Sequence, residues 1–94
     1  MIILQKIDYD GNDLKSDLRK LERVHKNIEK TLKSGKIDGP YFPQDSSLLY
    51  IFHVEKYEWL NQAGRIWFEE MSKEGLPFTP KGYEVAVTPK EFFG

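Results

Sequence analysis

Two histidines are the side chains in this sequence best suited to proton transfer near neutral pH. His25 lies in a stretch with helical periodicity, and His53 lies in an apolar stretch with strand character. The sequence has no cysteine and no serine-centred nucleophile motif, so a catalytic triad lacks its components. We therefore predict no catalytic residue. We interpret His25 as a partly buried, hydrogen-bonded side chain on the apolar face of a helix.

The acidic residues also give little sign of a site. Glu69 and Glu70 are neighbours on a predicted helix, so their side chains diverge by about 100° and do not form an acid–base pair. The segment "DYDGND" at residues 8–13 resembles the start of a calcium loop, but the twelfth position of that loop falls at Arg19 instead of a glutamate. No nucleotide-binding or zinc-binding fingerprint occurs. We predict no metal and no cofactor.

Composition indicates an ordinary folded protein. The 94 residues suit one domain, 1–94, and their balance of 39% hydrophobic and 31% charged residues is typical of a globular chain. The formal net charge of −1 provides no overall cationic field for nucleic acid or anionic lipid. The N-terminal "MIILQKIDYD" has neither the length nor the flanks of a signal peptide or a membrane span. These features favour a cytoplasmic protein with no membrane partner.

Two amphipathic helices are expected. Asp13 can cap the first helix, which begins near Leu14 and ends before Gly35. The second helix runs from about Lys56 to Glu74 and is stopped by Gly75. Their apolar residues recur at helical spacing: Leu14, Leu18, Leu21, Ile28 and Leu32 in the first, and Trp59, Leu60, Ala63, Ile66, Trp67 and Met71 in the second.

Strands are predicted around these helices. Ile2 to Tyr9 and Ser46 to Val54 are β-rich, residues 36–45 contain two prolines and form at best a short edge strand, and "YEVAV" alternates like a strand buried on one face. The segment "LPFTPKG" before it is predicted as a loop. Thr88 and Glu91 form a capping-box pattern, from which we expect one helical turn that folds Phe92 and Phe93 back onto the protein.

The order β-α-β-β-α-β predicts an α+β fold, a two-layer ferredoxin-like sandwich with its first and third strands at the centre of the sheet. The second strand is the weak one. If residues 36–45 form only a loop, the alternative is a three-stranded βαβαβ layer with both helices on one face.

The strand "SSLLYIFHV" is apolar on both faces, although one face of such a sheet is left uncovered by helices. Tyr50 and Phe52 alternate with Leu49 and Ile51, so one of the two sets must lie on the open face. An exposed apolar face is usually covered by a second subunit, another protein, stacked bases or the chain's own tail. We predict a partner surface formed by the sheet and a proline-stiffened aromatic loop. The alternative is that this loop or the C-terminal turn folds across the open face, or that the loop is a lid on the core. The predicted partner-binding residues are Tyr50, Phe52, Tyr41 and Phe42.

The first helix also carries a concentration of positive charge. Residues 14–36 contain eight cations and three anions, whereas residues 37–94 contain five cations and nine anions. Six of the cations fall within one quarter-turn of the helix surface. This basic ridge is either an ordinary solvated face or a surface for phosphates or an acidic partner. Its residues are Lys15, Arg19, Arg23, Lys26, Lys30 and Lys33.

The sequence thus predicts a small non-enzymatic interaction or regulatory module that binds another macromolecule. A homodimer or an unidentified protein partner is the first expectation. The alternative is a nucleic-acid-binding domain that uses the basic ridge. A small enzyme would instead require a pocket into which His25 or His53 opens.

Overall fold

A computed structural model describes all residues from Met1 to Gly94. The fold is α+β, with one four-stranded antiparallel sheet and three helices. The elements in chain order are β1 (Ile2–Tyr9), α1 (Leu14–Leu32), β2 (Gly35–Tyr41), β3 (Leu48–Val54), α2 (Glu58–Glu74), β4 (Phe78–Ala86) and α3 (Pro89–Phe93). A fourth strand is therefore present, and the three-stranded alternative does not describe this chain.

Local sequence signals explain where the two long helices begin and end. The Asp13 side chain accepts a hydrogen bond from the Ser16 N–H at 3.3 Å, which confirms it as the N-cap of α1. The C-cap of α1 is Lys33, which adopts the left-handed conformation at φ 56°, so the predicted terminator Gly35 instead begins β2. Gly75 ends α2 in the left-handed conformation, as predicted.

The sheet has the strand order β2-β3-β1-β4. The two most apolar strands, β1 and β3, lie at its centre, with Ile3 opposite Phe52 and Leu4 opposite Ile51. This central position follows from composition, because a strand flanked on both sides needs no protection of its edges from solvent or from other chains. The strands that contain prolines, β2 and β4, lie at the edges.

The two long helices, α1 and α2, pack on one face of the sheet. Alternate residues of β3 are buried on that face, and the residues between them are more exposed. A single cluster of buried hydrophobic residues joins the sheet to α1 and α2, with Ile3, Ile7, Leu21 and Ile28 the most completely enclosed. The other face of the sheet carries no helix.

The two edges of the sheet differ. At the β2 edge, the Ile37 N–H donates to a carboxylate oxygen of Glu29 on α1 at 3.1 Å, and Pro40 has no N–H. At the β4 edge, Pro80 and a register shift opposite Lys6 and Ile7 interrupt the first half of the strand. The second half, from Tyr83 to Ala86, has no such interruption.

The C-terminal third differs most from the sequence prediction. β4 begins at Phe78, within the predicted loop, and only Phe78 of its nine residues is buried. The strand is therefore not buried on one face, because α2 leaves it uncovered. The capping box of Thr88 and Glu91 is present as predicted. The expectation for the phenylalanines is wrong, because Phe92 and Phe93 are 73% and 83% exposed and contact each other.

Candidate functional site

The open face of the sheet carries an apolar row on its two central strands. Lys6 and Leu49 are opposite one another, as are Leu4 and Ile51, on the face away from the helices. Tyr41 of β2 is the register partner of Leu49 and extends the row towards that edge. No helix covers the row, and its aliphatic members are all partly exposed: Ile2, Leu4, Leu49 and Ile51.

Tyr50 and Phe52 lie on the opposite, helix-covered face. They are only 2% and 7% exposed. Tyr50 makes an edge-on contact with the His25 ring, with 4.3 Å between centroids, and Phe52 packs against Trp59 at 5.7 Å. Neither side chain can therefore contact a partner on the open face, and their prediction as partner-binding residues is corrected. The side chains of Tyr50 and Phe52 are larger than those of Leu49 and Ile51. Placing the larger pair on the core side buries more apolar area.

Paired charges border the apolar row. The Lys6 ammonium lies 2.8 Å from the Asp45 carboxylate, which also accepts hydrogen bonds from the hydroxyl and N–H of Ser47. The hydrogen bond from Lys6 and those from Ser47 lower the pKa of Asp45 well below its ordinary value. On the same face, Lys81 lies 4.0 Å from Asp8. The border thus contains both signs of charge.

The proline-flanked aromatic loop projects from this surface. Tyr41 is 46% exposed, and its hydroxyl donates to Asp38 at 3.0 Å, a hydrogen bond that raises the tyrosine pKa. Phe42 is 63% exposed. A lid over the core would bury these rings, so the loop does not act as a lid. It remains a candidate contact surface for a partner.

The basic ridge is fully displayed on α1 and its C-cap. Only Lys26 has an acidic partner, Glu22, at 3.2 Å. The other five cations form no ion pair within the chain. All six are exposed: Lys15, Arg19, Arg23, Lys26, Lys30 and Lys33.

A cavity of about 140 Å³ lies between α2 and the sheet, and no sequence pattern indicated it directly. His25 lines this cavity and is 4% exposed. Its Nε2 has no hydrogen-bond partner, which contradicts the expectation of a hydrogen-bonded histidine. Burial alone lowers the pKa of His25 from 6.5 to about 4, so the ring is neutral at pH 7. His53 lies away from the cavity, exposed on the open face.

Exposed apolar side chains also gather along β4 and its neighbours. Tyr83 and Val85 are 47% and 46% exposed, and the Tyr57 and Tyr83 hydroxyls share a hydrogen bond across the gap between α2 and β4. Phe68 of α2 is 70% exposed. The helical spacing of α2 did not mark Phe68 as special, because its exposure results from where α2 sits over the sheet.

None of the helices combines the length and the apolar character needed to cross a membrane. Comparison of the chain with protein-family models finds no match, and a search of curated proteins also finds no match.

Proposed function

We propose that this chain is a small, non-enzymatic interaction module with ferredoxin-like topology, and that it associates through the open face of its sheet with a second copy of itself. The element order, the central β1 and β3, and the placement of both long helices on one face support the topology. A regulatory role in the cytoplasm fits such a module.

The observation that carries this proposal is the uncovered aliphatic row on β1 and β3. Central strands of a sheet with one wet face normally alternate apolar and polar residues. Here Leu4 and Ile51 lie opposite each other where polar side chains would be expected. Covering them contributes to association at about 25 cal/mol per Å² of apolar surface removed from water.

The charges around the row favour a second copy over a strongly charged partner. The strands of this face and the loop between β2 and β3 carry both signs of charge: Lys6, Lys36 and Lys81, and Asp8, Asp38, Asp45 and Glu84. A second copy that packs face to face meets both positive and negative side chains around the apolar row. The two copies therefore have no net electrostatic repulsion at this face. Nucleic acid would meet several carboxylates there, which disfavours phosphate binding.

The size of the face sets the expected strength. Strands of eight residues at about 3.4 Å per residue, and four strands about 4.8 Å apart, give a face of about 27 by 19 Å. That area, about 500 Å², is smaller than the 800 Å² or so per partner of a standard interface. We expect a reversible dimer rather than an obligate one.

Substitution of the central aliphatic residue tests this proposal. Ile51→Lys places a charge in the middle of the face without altering the core, and we expect a monomer that keeps its fold. Gln62→Lys, on the exposed surface of α2, is the matched control and keeps the wild-type dimer. Light scattering and sedimentation over a range of protein concentrations measure the mass, and circular dichroism checks the fold.

Two results would contradict the proposal. A wild-type chain that stays monomeric at millimolar concentration excludes a second copy as the partner. A dimer that Ile51→Lys leaves unchanged places the interface on another surface, such as β4.

A second function, nucleic-acid binding, is favoured by one specific observation. Five of the six exposed cations on the basic ridge have no acidic partner within the chain. Such a row can bind phosphates by releasing counterions, so this binding would weaken steeply with salt.

A further inference from the structure

The register of the central strands shows which main-chain groups of β1 point towards β4. The Val54 N–H donates to the Met1 carbonyl at 3.0 Å, so the main-chain groups of Met1 point towards β3. The direction alternates along a strand, and the pairing of β1 is regular as far as Lys6. Ile2 and Leu4 therefore direct their N–H and C=O groups towards β4.

The outer edge of β4 consequently has four free main-chain groups. Glu84 is opposite Leu4, so its N–H and C=O belong to the ladder with β1. The N–H and C=O groups of Tyr83 and Val85 point the other way, out of the sheet, and none of them makes a hydrogen bond within the chain. An antiparallel extended segment beside β4 can pair with all four groups.

The side chains that accompany these groups are apolar and lie on the helix side of the sheet. Val85 is opposite Ile3, which is fully buried beneath the helices, so Val85 and Tyr83 project from that face. α2 leaves both side chains exposed. The Tyr57 and Tyr83 hydroxyls share a hydrogen bond, which holds the Tyr83 ring beside the edge. A paired strand covers both side chains best when the residues opposite them are aromatic or β-branched.

Glu84 determines which charge the paired segment should carry. Its side chain is exposed on the open face and forms no ion pair within the chain. A cation directly opposite this carboxylate is favourable, whereas a second carboxylate there is destabilising.

The same charge disfavours a second copy of this chain at the edge. The register that pairs Tyr83 with Val85 of another copy places the two Glu84 side chains directly opposite each other. A register centred on Val85 instead requires Val87, which lies beyond the end of β4. The edge therefore favours a different chain, one with a cation between two apolar residues.

We propose that the outer edge of β4 binds an extended segment of another protein in antiparallel pairing. Two aromatic or β-branched residues of that segment lie opposite Tyr83 and Val85, and a lysine or arginine between them lies opposite Glu84. This interaction goes beyond the association of sheet faces in the proposed function, because it uses a separate surface of the chain.

A blocked synthetic peptide of sequence threonine-valine-lysine-valine-threonine is the probe, and fluorescence anisotropy of a labelled form measures its affinity. We expect saturable one-to-one binding, with NMR shifts and slowed hydrogen exchange at the Tyr83 and Val85 amides. Replacing the lysine of the peptide with glutamate should weaken binding about 3- to 10-fold.

Methylation of the peptide nitrogens tests the main-chain pairing. An N-methyl group on either valine removes a hydrogen bond to β4 and should weaken binding at least about fivefold. The N–H of the peptide lysine points away from β4, so its methylation is the matched control and should have little effect.

Variants of the chain separate this edge from the open face. Val85→Pro removes an N–H that points outward and spares the ladder with β1, so it should keep the fold and reduce affinity at least about tenfold. Glu84→Lys should reverse the preference and bind the glutamate peptide more tightly than the lysine peptide. Ile51→Lys, in the middle of the open face, should bind the lysine peptide like the wild type, so the result does not depend on sheet-face association. If Val85→Pro does not fold, Glu84→Lys and the methylated peptides decide.

Four outcomes would overturn the proposal. The first is absence of saturable binding of the lysine peptide at millimolar concentrations. The second is a set of NMR shifts confined to the open face or to Phe92 and Phe93. The third is unchanged peptide affinity in folded Val85→Pro. The fourth is self-association of Ile51→Lys that an added Val85→Pro abolishes, which would identify a second copy as the chain bound at this edge.

Discussion

Acidification should destabilise this protein in a pH range where few other groups change charge, and His25 should be the cause. The pKa of its imidazole is about 6.5 in the unfolded chain and about 4 in the folded protein. The unfolded state therefore binds a proton more readily, and stability falls as pH drops below 6.5. The difference between the two pKa values corresponds to about 3 kcal/mol at pH below both. About 2 kcal/mol of this is already lost at pH 5.

Urea unfolding at pH 8, 6.5 and 5, followed by tryptophan fluorescence, measures this loss. Asp45 and Glu91, whose pKa values are lowered by their hydrogen-bond and charge partners, lose their contributions only as pH falls below their ordinary values near 4. The range from pH 8 to 5 therefore isolates histidine. The slope m, which is the decrease in unfolding free energy per molar urea, should stay constant across these pH values, because the surface exposed on unfolding does not change.

Matched variants assign the effect to one residue. His25→Gln removes the titrating ring, so its free energy of unfolding should become nearly independent of pH between 8 and 5. His53→Gln, on the open face, should keep the wild-type dependence. If the wild-type stability is flat over this range, or if His25→Gln retains the full slope, the inference that His25 is buried in its neutral form is wrong.

Two other predictions concern packing and charge. Gly35→Ala should lower the free energy of unfolding by about 1–3 kcal/mol in urea titrations, because its Cβ would overlap the indole of Trp59, with Nε1 at 2.5 Å. Gly64→Ala should raise it by about 0.5–1 kcal/mol, and a neutral Gly35→Ala would contradict the close packing. If the basic ridge binds nucleic acid, Arg19→Glu combined with Arg23→Glu should abolish oligonucleotide binding at low salt, while Lys56→Glu with Lys73→Glu should not. A wild-type protein that binds no oligonucleotide at low salt excludes this function.

Much of the secondary structure could be predicted because it depends on neighbouring residues. The bounds of β1 agree with the β-rich run from Ile2 to Tyr9, and the N-cap at Asp13 and the terminator Gly75 act within one turn of their helices. The element order likewise placed β1 and β3 at the centre of the sheet. These features rest on local chemistry and on connectivity.

The orientation of the central strand could not be predicted from its own residues. Both faces of β3 are apolar, and only the contacts with α1 and α2 decide that Tyr50 and Phe52 point inward. A signal existed in β1, where Ile2, Ile3 and Leu4 are also apolar on both faces. It shows that both central strands present aliphatic residues to the open side, but it does not say which face of β3 the helices cover.

The position of α2 over the sheet also could not be predicted from the sequence. Periodicity identifies the inward side of α2, but not how far the helix extends towards β4. The structure leaves Tyr83 and Val85 uncovered and forms the cavity lined by His25. Both the exposed aromatic residues and the unpaired imidazole nitrogen result from this offset, which depends on packing among distant residues.

The unequal edges of the sheet limit how large an assembly of strands can become. Growth into a fibre by strand addition needs two free borders on every copy, so that each newcomer leaves a place for the next. On the β2 border, Glu29 already binds the Ile37 N–H and Pro40 has no N–H, whereas on the β4 border the stretch from Tyr83 to Ala86 has no interruption. We therefore expect strand addition to be less favourable at the β2 border than at the β4 border, which would limit growth of this sheet into a fibre.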